Sequence, residues 1–129
     1  MRDRSLIAIV DDDASICKAL SRLVRSARMD AETFGSAREF LEQGESHEPD
    51  CAIVDVQMPG MTGLELSARL AAGKSRIPVI FITAYDAPEA RDAAAASGAM
   101  AYLTKPVNDQ VLLDAIDLAL KARKEQSII

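Results

Sequence analysis

Five polar side chains close, or directly follow, short apolar runs. Asp11 and Asp12 follow SLIAIV at 5–10, Asp55 closes CAIVD at 51–55, Thr83 closes IPVIFIT at 77–83, and Lys105 follows MAYLT at 100–104. Carboxylates brought together repel, and one is pushed toward its protonated form. A divalent cation removes that conflict. Two carboxylates, with room for waters and a carbonyl, suit magnesium, or manganese as the alternative, better than zinc. The predicted metal ligands are Asp12, Asp11 through a water, Asp55 and the backbone carbonyl of Gln57. Lys105 adds a second positive charge. Such a pocket accommodates a dianion and offsets the charge that develops as a phosphoryl group transfers. Asp55 is then the nucleophile, forming an acyl phosphate. Thr83 offers a hydroxyl to one phosphoryl oxygen, Lys105 pairs with another, and the backbone N–H of Ala84 assists.

These residues need elements that converge. The run at 5–10 reads as a buried strand, and Ile16, Leu20, Leu23, Val24 and Ala27 follow at helical spacing over 14–28. A more polar strand at 30–34 suits a sheet edge. Ser36 with Glu39 has capping-box spacing, with Phe40 and Leu41 facing inward. The strand at 51–55 ends at Met58-Pro59-Gly60, and Thr62 caps a helix over 64–72. The run at 77–83 is the most apolar and is predicted to be central. An alanine-rich helix over 86–97 ends at Gly98. A short strand at 100–104 precedes a helix capped by Asn108, with Val111, Leu112, Ala115, Ile116 and Ala119 as its apolar positions. Strand and helix alternate five times, which calls for an α/β fold with right-handed crossovers and a parallel sheet covered on both faces. In such a sheet the five polar residues gather at one edge, where open α/β sheets bind ligands.

A chain of 129 residues makes one domain with a real core, and its 49% hydrophobic and 27% charged residues are ordinary for a globular protein. The net charge of −5 argues against direct nucleic-acid binding by this domain. Cys17 and Cys51 sit in apolar patterns and read as buried, reduced thiols, with no zinc spacing. No signal peptide and no membrane-spanning run stands out, so a cytoplasmic protein without membrane contact is expected.

Each residue has a plainer use when taken alone. Asp11, Asp12 and Asp13 suit a solvated helix N-terminus, and Asp13 is expected to be only that. Thr83 suits a strand, Lys105 a solvated charge, Tyr102 the core, and His47 a polar surface loop. The case for chemistry is collective.

That collective pattern resembles the receiver domain of a bacterial two-component response regulator, of the nitrogen-fixation-type subfamily. It is carried by IVDDD at 9–13, DVQMPGMTG at 55–63, FITA at 81–84 and YLTKPV at 102–107, in that order. The resemblance implies a flavodoxin-like (βα)5 three-layer sandwich with strand order 2-1-3-4-5. It implies phosphotransfer to Asp55 from a histidine kinase or phosphotransfer protein, with magnesium, and a cis peptide before Pro106 that helps aim Lys105. It also implies that the ring of Tyr102 turns inward as Thr83 moves toward the phosphoryl group, remodelling the fourth helix, fifth strand and fifth helix. Homodimerisation through the fourth and fifth helices is a further family expectation. Gln57 and Tyr85 each lie two residues past a site residue and flank the approach of an attacking water. A bulky Tyr85 obstructs it, so a long-lived phosphoryl group is expected.

The expected organisation is a receiver at 1–122 with 123–129 as a tail or the start of a linker. The output is then either protein contact by a stand-alone regulator or, in an excised receiver, a DNA-binding domain beyond it. Such a domain is not an enzyme except toward its own phosphorylation and dephosphorylation. Two other classes compete. A metal-dependent phosphohydrolase with an aspartyl nucleophile usually wants a second acid two residues on, where Gln57 stands. A flavodoxin-like cofactor binder needs a loop rich in Ser, Thr and Gly after the first strand, where three aspartates stand.

Overall fold

A computed structural model describes residues 4–128, with side chains to 125. Five parallel strands, β1 (Leu6–Val10), β2 (Asp30–Phe34), β3 (Cys51–Asp55), β4 (Val79–Thr83) and β5 (Ala101–Thr104), form one sheet in the order β2-β1-β3-β4-β5. The helices are α1 (Ala14–Ser26), α2 (Ala37–Glu39), α3 (Gly63–Ala72), α4 (Pro88–Ala96) and α5 (Asp109–Ile128).

Alternation along the strands divides the core between the two faces of the sheet. Ala8, Val10, Ala52, Val54 and Phe81 pack on one face with Phe40, Leu66, Leu70 and Ala94. Ile7, Ile9, Ile53, Ile80 and Ile82 pack on the other with Val24 of α1 and Leu112, Ile116 and Ala119 of α5. Every residue of β1, β3 and β4 is buried because helices cover both faces. Each fully buried Ile contributes about 1.5–3 kcal/mol.

The most apolar strand, β4, is interior but not central: it lies between β3 and β5, and β3 is the middle strand. Apolar content reports coverage of both faces, which β1, β3 and β4 share, and not position in the sheet. The polar strand β2 does lie at an edge. Helix α4 begins at Pro88, in the first turn where a missing N–H is harmless, so Asp86 stays in the preceding loop.

Helix α2 is short and widens into a π turn at Phe40–Gly44 and a 3-10 turn at Glu45–His47. The wide turn seats Gly44 against the rings of Phe34 and Phe40, where any side chain would overlap both. The capping box at α2 is shifted. Ser36 Oγ accepts from Glu39 N, but the Glu39 carboxylate accepts from Gly35 N. Helix α5 runs without a break across position 122. Ile129, the last residue of the tail expected at 123–129, lies outside the described residues. Within α5, Val111 is 48% exposed and its N–H is capped by Asn108 Oδ1, whereas Leu112, Ala115, Ile116 and Ala119 are buried.

Candidate functional site

The three consecutive aspartates after β1 occupy three environments. Asp11 is 1% exposed; its Oδ1 accepts from Asp13 N at 2.9 Å and its Oδ2 pairs with Lys105 Nζ at 2.9 Å. Asp12 is exposed. Asp13 is the N-cap of α1: its Oδ1 accepts from Ser15 Oγ, Ser15 N and Ile16 N. Those bonds, that from the Ser15 hydroxyl above all, hold its carboxyl below the usual range. Asp13 is therefore a capping acid and stands outside the cluster, as expected.

Strand β3 delivers Asp55, 4% exposed, opposite Ile82 of β4. Its Oδ1 accepts from Gln57 N at 3.2 Å and its Oδ2 lies 3.5 Å from Lys105 Nζ. Burial, then the negative charge of Asp11, raise its carboxyl from 3.8 to about 6, against the pull of Lys105 and the Gln57 N–H. Burial disfavours the charged form of Lys105, but its bond to Asp11 and the charges of Asp55 and Asp11 outweigh this, so its pKa lies above the ordinary value.

One carboxylate oxygen from each of Asp11, Asp12 and Asp55 lies within 4.8 Å of the other two. Oxygens at that spacing can share one small hard cation, since ligand distances run from about 2.0 to 2.6 Å. Asp11 and Asp55 are both buried and the charge of Asp11 raises the Asp55 carboxyl, a conflict that a cation would relieve. The donor set fits magnesium.

The loop between β3 and α3 is fixed by backbone bonds, Val56 N to Ile82 O and Gly63 N to Val56 O. Thr62 and Glu65 close a full capping box at α3. Gly63 then lies directly against the Asp55 carbonyl, where a methyl group would overlap it. In the sequence Gly63 follows the cap Thr62 and closes the motif at 55–63. Its signal, a glycine just after a cap, does not reveal a close approach.

Thr83 is fully buried, and its hydroxyl is committed to its own loop, donating to Tyr85 O at 2.9 Å and accepting from Tyr85 N at 3.1 Å. Ala84 and Gln57 are exposed, and Tyr85 is 67% exposed. Lys105 N donates to Thr83 O, and the Lys105–Pro106 peptide is cis. Tyr102 pairs across the sheet with Phe81 and packs against the core; its hydroxyl is buried without a hydrogen-bond partner among the described residues. The structure thus brings together Asp11, Asp12, Asp55 and Lys105, and binds Thr83 to Tyr85 instead. Cys17 and Cys51 are free and buried, and burial pushes the Cys51 thiol to about 12. His47 is exposed and faces Glu32.

The Lys105 ammonium is the counter-charge beside both buried carboxylates, 2.9 Å from Asp11 Oδ2 and 3.5 Å from Asp55 Oδ2, and it competes electrostatically with any added cation. Lys105→Met should therefore act in two directions. Without metal, two buried carboxylates lose their counter-charge, and stability falls by about 2 kcal/mol, a figure reduced for the partial exposure of the lysine. Magnesium affinity should rise and restore most of that loss. Urea unfolding with EDTA and with magnesium checks both.

A doubly wound parallel sheet with an acidic, lysine-balanced pocket at its carboxyl edge defines a class of domain built to hold a cation and an anionic group together. Comparison with known proteins narrows the class. The family model for the response regulator receiver domain matches residues 7–117. The response regulator protein TodT of Pseudomonas putida is 43% identical over 128 residues, 98% of this chain and 56% of its own length. A response regulator receiver protein from Burkholderia phymatum is similar in structure, with TM-score 0.80 and 45% identity, covering 92% of this chain and 96% of its own. FixJ-N has TM-score 0.84 and 30% identity, covering 94% and 96%. The chain belongs to the response regulator receiver family, whose general mechanism is phosphorylation of an aspartate. It spans about half the length of curated relatives such as TodT. Among the described residues no helix is long and apolar enough to cross a membrane.

Proposed function

We propose that Asp55 is the phosphoacceptor of a receiver that works in a two-component phosphorelay. The observation that carries this reading is the placement of Asp55: buried at the end of the middle strand, beside Asp11, within reach of Lys105, with its carboxyl raised to about 6. A carboxylate at that value is mostly ionised at neutral pH yet more basic than a solvated aspartate, which suits a nucleophile. An Asp55 oxygen forms the new bond to phosphorus as the bond from phosphorus to its donor, a kinase phosphohistidine, breaks. Lys105 then exchanges its pairing with Asp55 for a phosphoryl oxygen, and the Ala84 N–H supports another. Asp11, Asp12, Asp55 and the Gln57 carbonyl would hold magnesium, or manganese in its place, which supplies charge neutralisation at the transferring group. Thr83 leaves Tyr85 to bind the phosphoryl group, and Tyr102 responds.

On this reading the domain, 1–122 with 123–129 leading onward, works in the cytoplasm and acts by changing a protein-contact surface on α4, β5 and α5. The same surface serves a homodimer. The domain itself contacts neither nucleic acid nor membrane, and its only catalysis is toward its own phosphoryl group. The relatives TdiR of Thauera aromatica, a transcriptional regulatory protein, and NtrC of Escherichia coli, a DNA-binding transcriptional regulator, favour a DNA-binding output beyond this domain.

The test is incubation with acetyl phosphate and magnesium, read by intact mass. One acid- and base-labile phosphoryl group per chain, not formed when EDTA replaces magnesium, supports the reading. Turnover of many equivalents with no stable label supports a phosphohydrolase instead. Tyr85, 67% exposed in the loop that follows Thr83, should slow attack by water: Tyr85→Ala is expected to speed decay of the label about three- to tenfold. An unchanged decay rate removes Tyr85 from that role.

A further inference from the structure

Helix α4 is held to the domain by little apolar contact: Ala94 is its one buried residue, and Ala90 is partly buried. A polar clasp supplements that. The Arg91 guanidinium lies 4.7 Å from the centroid of the Tyr102 ring and donates to Asp86 Oδ2 at 2.8 Å. Arg91 therefore joins three parts: helix α4, strand β5 through Tyr102, and the β4–α4 loop through Asp86. Asp86 directly follows Tyr85, whose backbone holds the Thr83 hydroxyl at both its N–H and its carbonyl. Tyr102 gains nothing from its own hydroxyl, which is buried without a partner among the described residues. Its ring is held by packing and by the cation above it.

We propose that Arg91 is a positioning residue: by bridging Asp86 and the ring of Tyr102, it holds the β4–α4 loop in the arrangement where Thr83 is bound to Tyr85 and not offered to Asp55. Releasing Thr83 requires the Tyr85–Asp86 segment to move, and that movement draws Arg91 off the ring. The clasp thus favours the resting arrangement and opposes phosphoryl acceptance. This inference rests on the phosphoacceptor reading of Asp55.

The chain contains two tyrosines and no tryptophan, so in a Tyr85→Phe background Tyr102 alone supplies the emission. That background keeps the Thr83 bonds, which go to the backbone of residue 85. Acrylamide quenching of the resting protein is compared among intact Arg91, Arg91→Met, Arg91→Lys and Asp86→Asn. Arg91→Met keeps the stem and loses the cation; quenching should rise about twofold, Arg91→Lys should restore most of the protection, and Asp86→Asn should fall between. Labelling by acetyl phosphate with magnesium should be about two- to threefold faster in Arg91→Met and near the parent rate in Arg91→Lys. Equal quenching in Arg91→Met and the parent overturns the clasp. Looser quenching with unchanged labelling overturns its control of acceptance. A parent that takes no label at all overturns the reading of Asp55 itself, and the resting quenching still decides whether Arg91 holds the ring.

Discussion

Asp55→Asn is expected to take no phosphoryl group from acetyl phosphate, while folding at least as well as the parent. The amide cannot act as the nucleophile, and neither Asp11 nor Asp12 replaces it. Asp11 is tied to Lys105 and Asp13 N, and Asp12 is exposed. Intact mass should show no stable adduct. A label of parental yield would place the acceptor elsewhere and end the proposal.

The same substitution should be stabilising at neutral pH in EDTA. The Asp55 carboxyl titrates at about 6 when folded, against 3.8 as its ordinary value, so the folded state favours the proton. The group's stability contribution is complete below about pH 4 and is lost as pH rises through 6. The full difference amounts to about 3 kcal/mol, and access of water at the pocket mouth reduces it to about 1–2 kcal/mol. Urea unfolding should show Asp55→Asn ahead of the parent at pH 7.5 and the gap closing toward pH 4. Magnesium should narrow the gap at pH 7.5, because it stabilises only the parent site strongly. A gap independent of pH would mean that Asp55 is not under electrostatic stress.

Gly63→Ala is expected to damage fold and function together. Gly63 is buried, and an added methyl would overlap the Asp55 carbonyl and press on Val54 Cγ1. The obstacle is backbone in the middle strand, so no side chain can swing aside. Either α3 lifts or the end of β3 retreats, and both move Asp55. Overpacking against a fixed backbone should cost about 2–4 kcal/mol, and misplacing the acceptor should slow labelling about tenfold or more. Gly60→Ala is the contrast. Gly60 has φ of +76° with nothing near its absent Cβ, so strain alone acts there, about 1 kcal/mol. A Gly63→Ala protein as stable as Gly60→Ala, with normal labelling, would show that the close approach is not required.

Much of this protein could be read from the chain because its signals are local. Alternating apolar runs and helical spacing placed all five strands and helices, and Asp30–Phe34 matched its expected bounds. Thr62, Ser36 and Asn108 act as caps because a cap is a contact within a few residues. The gathering of Asp11, Asp12, Asp55 and Lys105 followed from one topological fact: strand ends in a parallel sheet share an edge. The strand order came with the family resemblance, since alternation alone does not order strands.

What the sequence determined by itself was which residue types stand at which strand ends, and hence the chemistry the edge can support. Tertiary structure decided the rest. It separated three identical aspartates into a buried ion-pair member, an exposed carboxylate beside it and a helix cap. It made β3, not β4, the central strand, turned the Thr83 hydroxyl to Tyr85, and seated Arg91 on Tyr102. The physical reason is range. Periodicity and capping act over a few residues, whereas burial, charge pairing and close backbone approach depend on groups as far apart in the chain as Asp11 and Lys105, which meet only when the sheet forms.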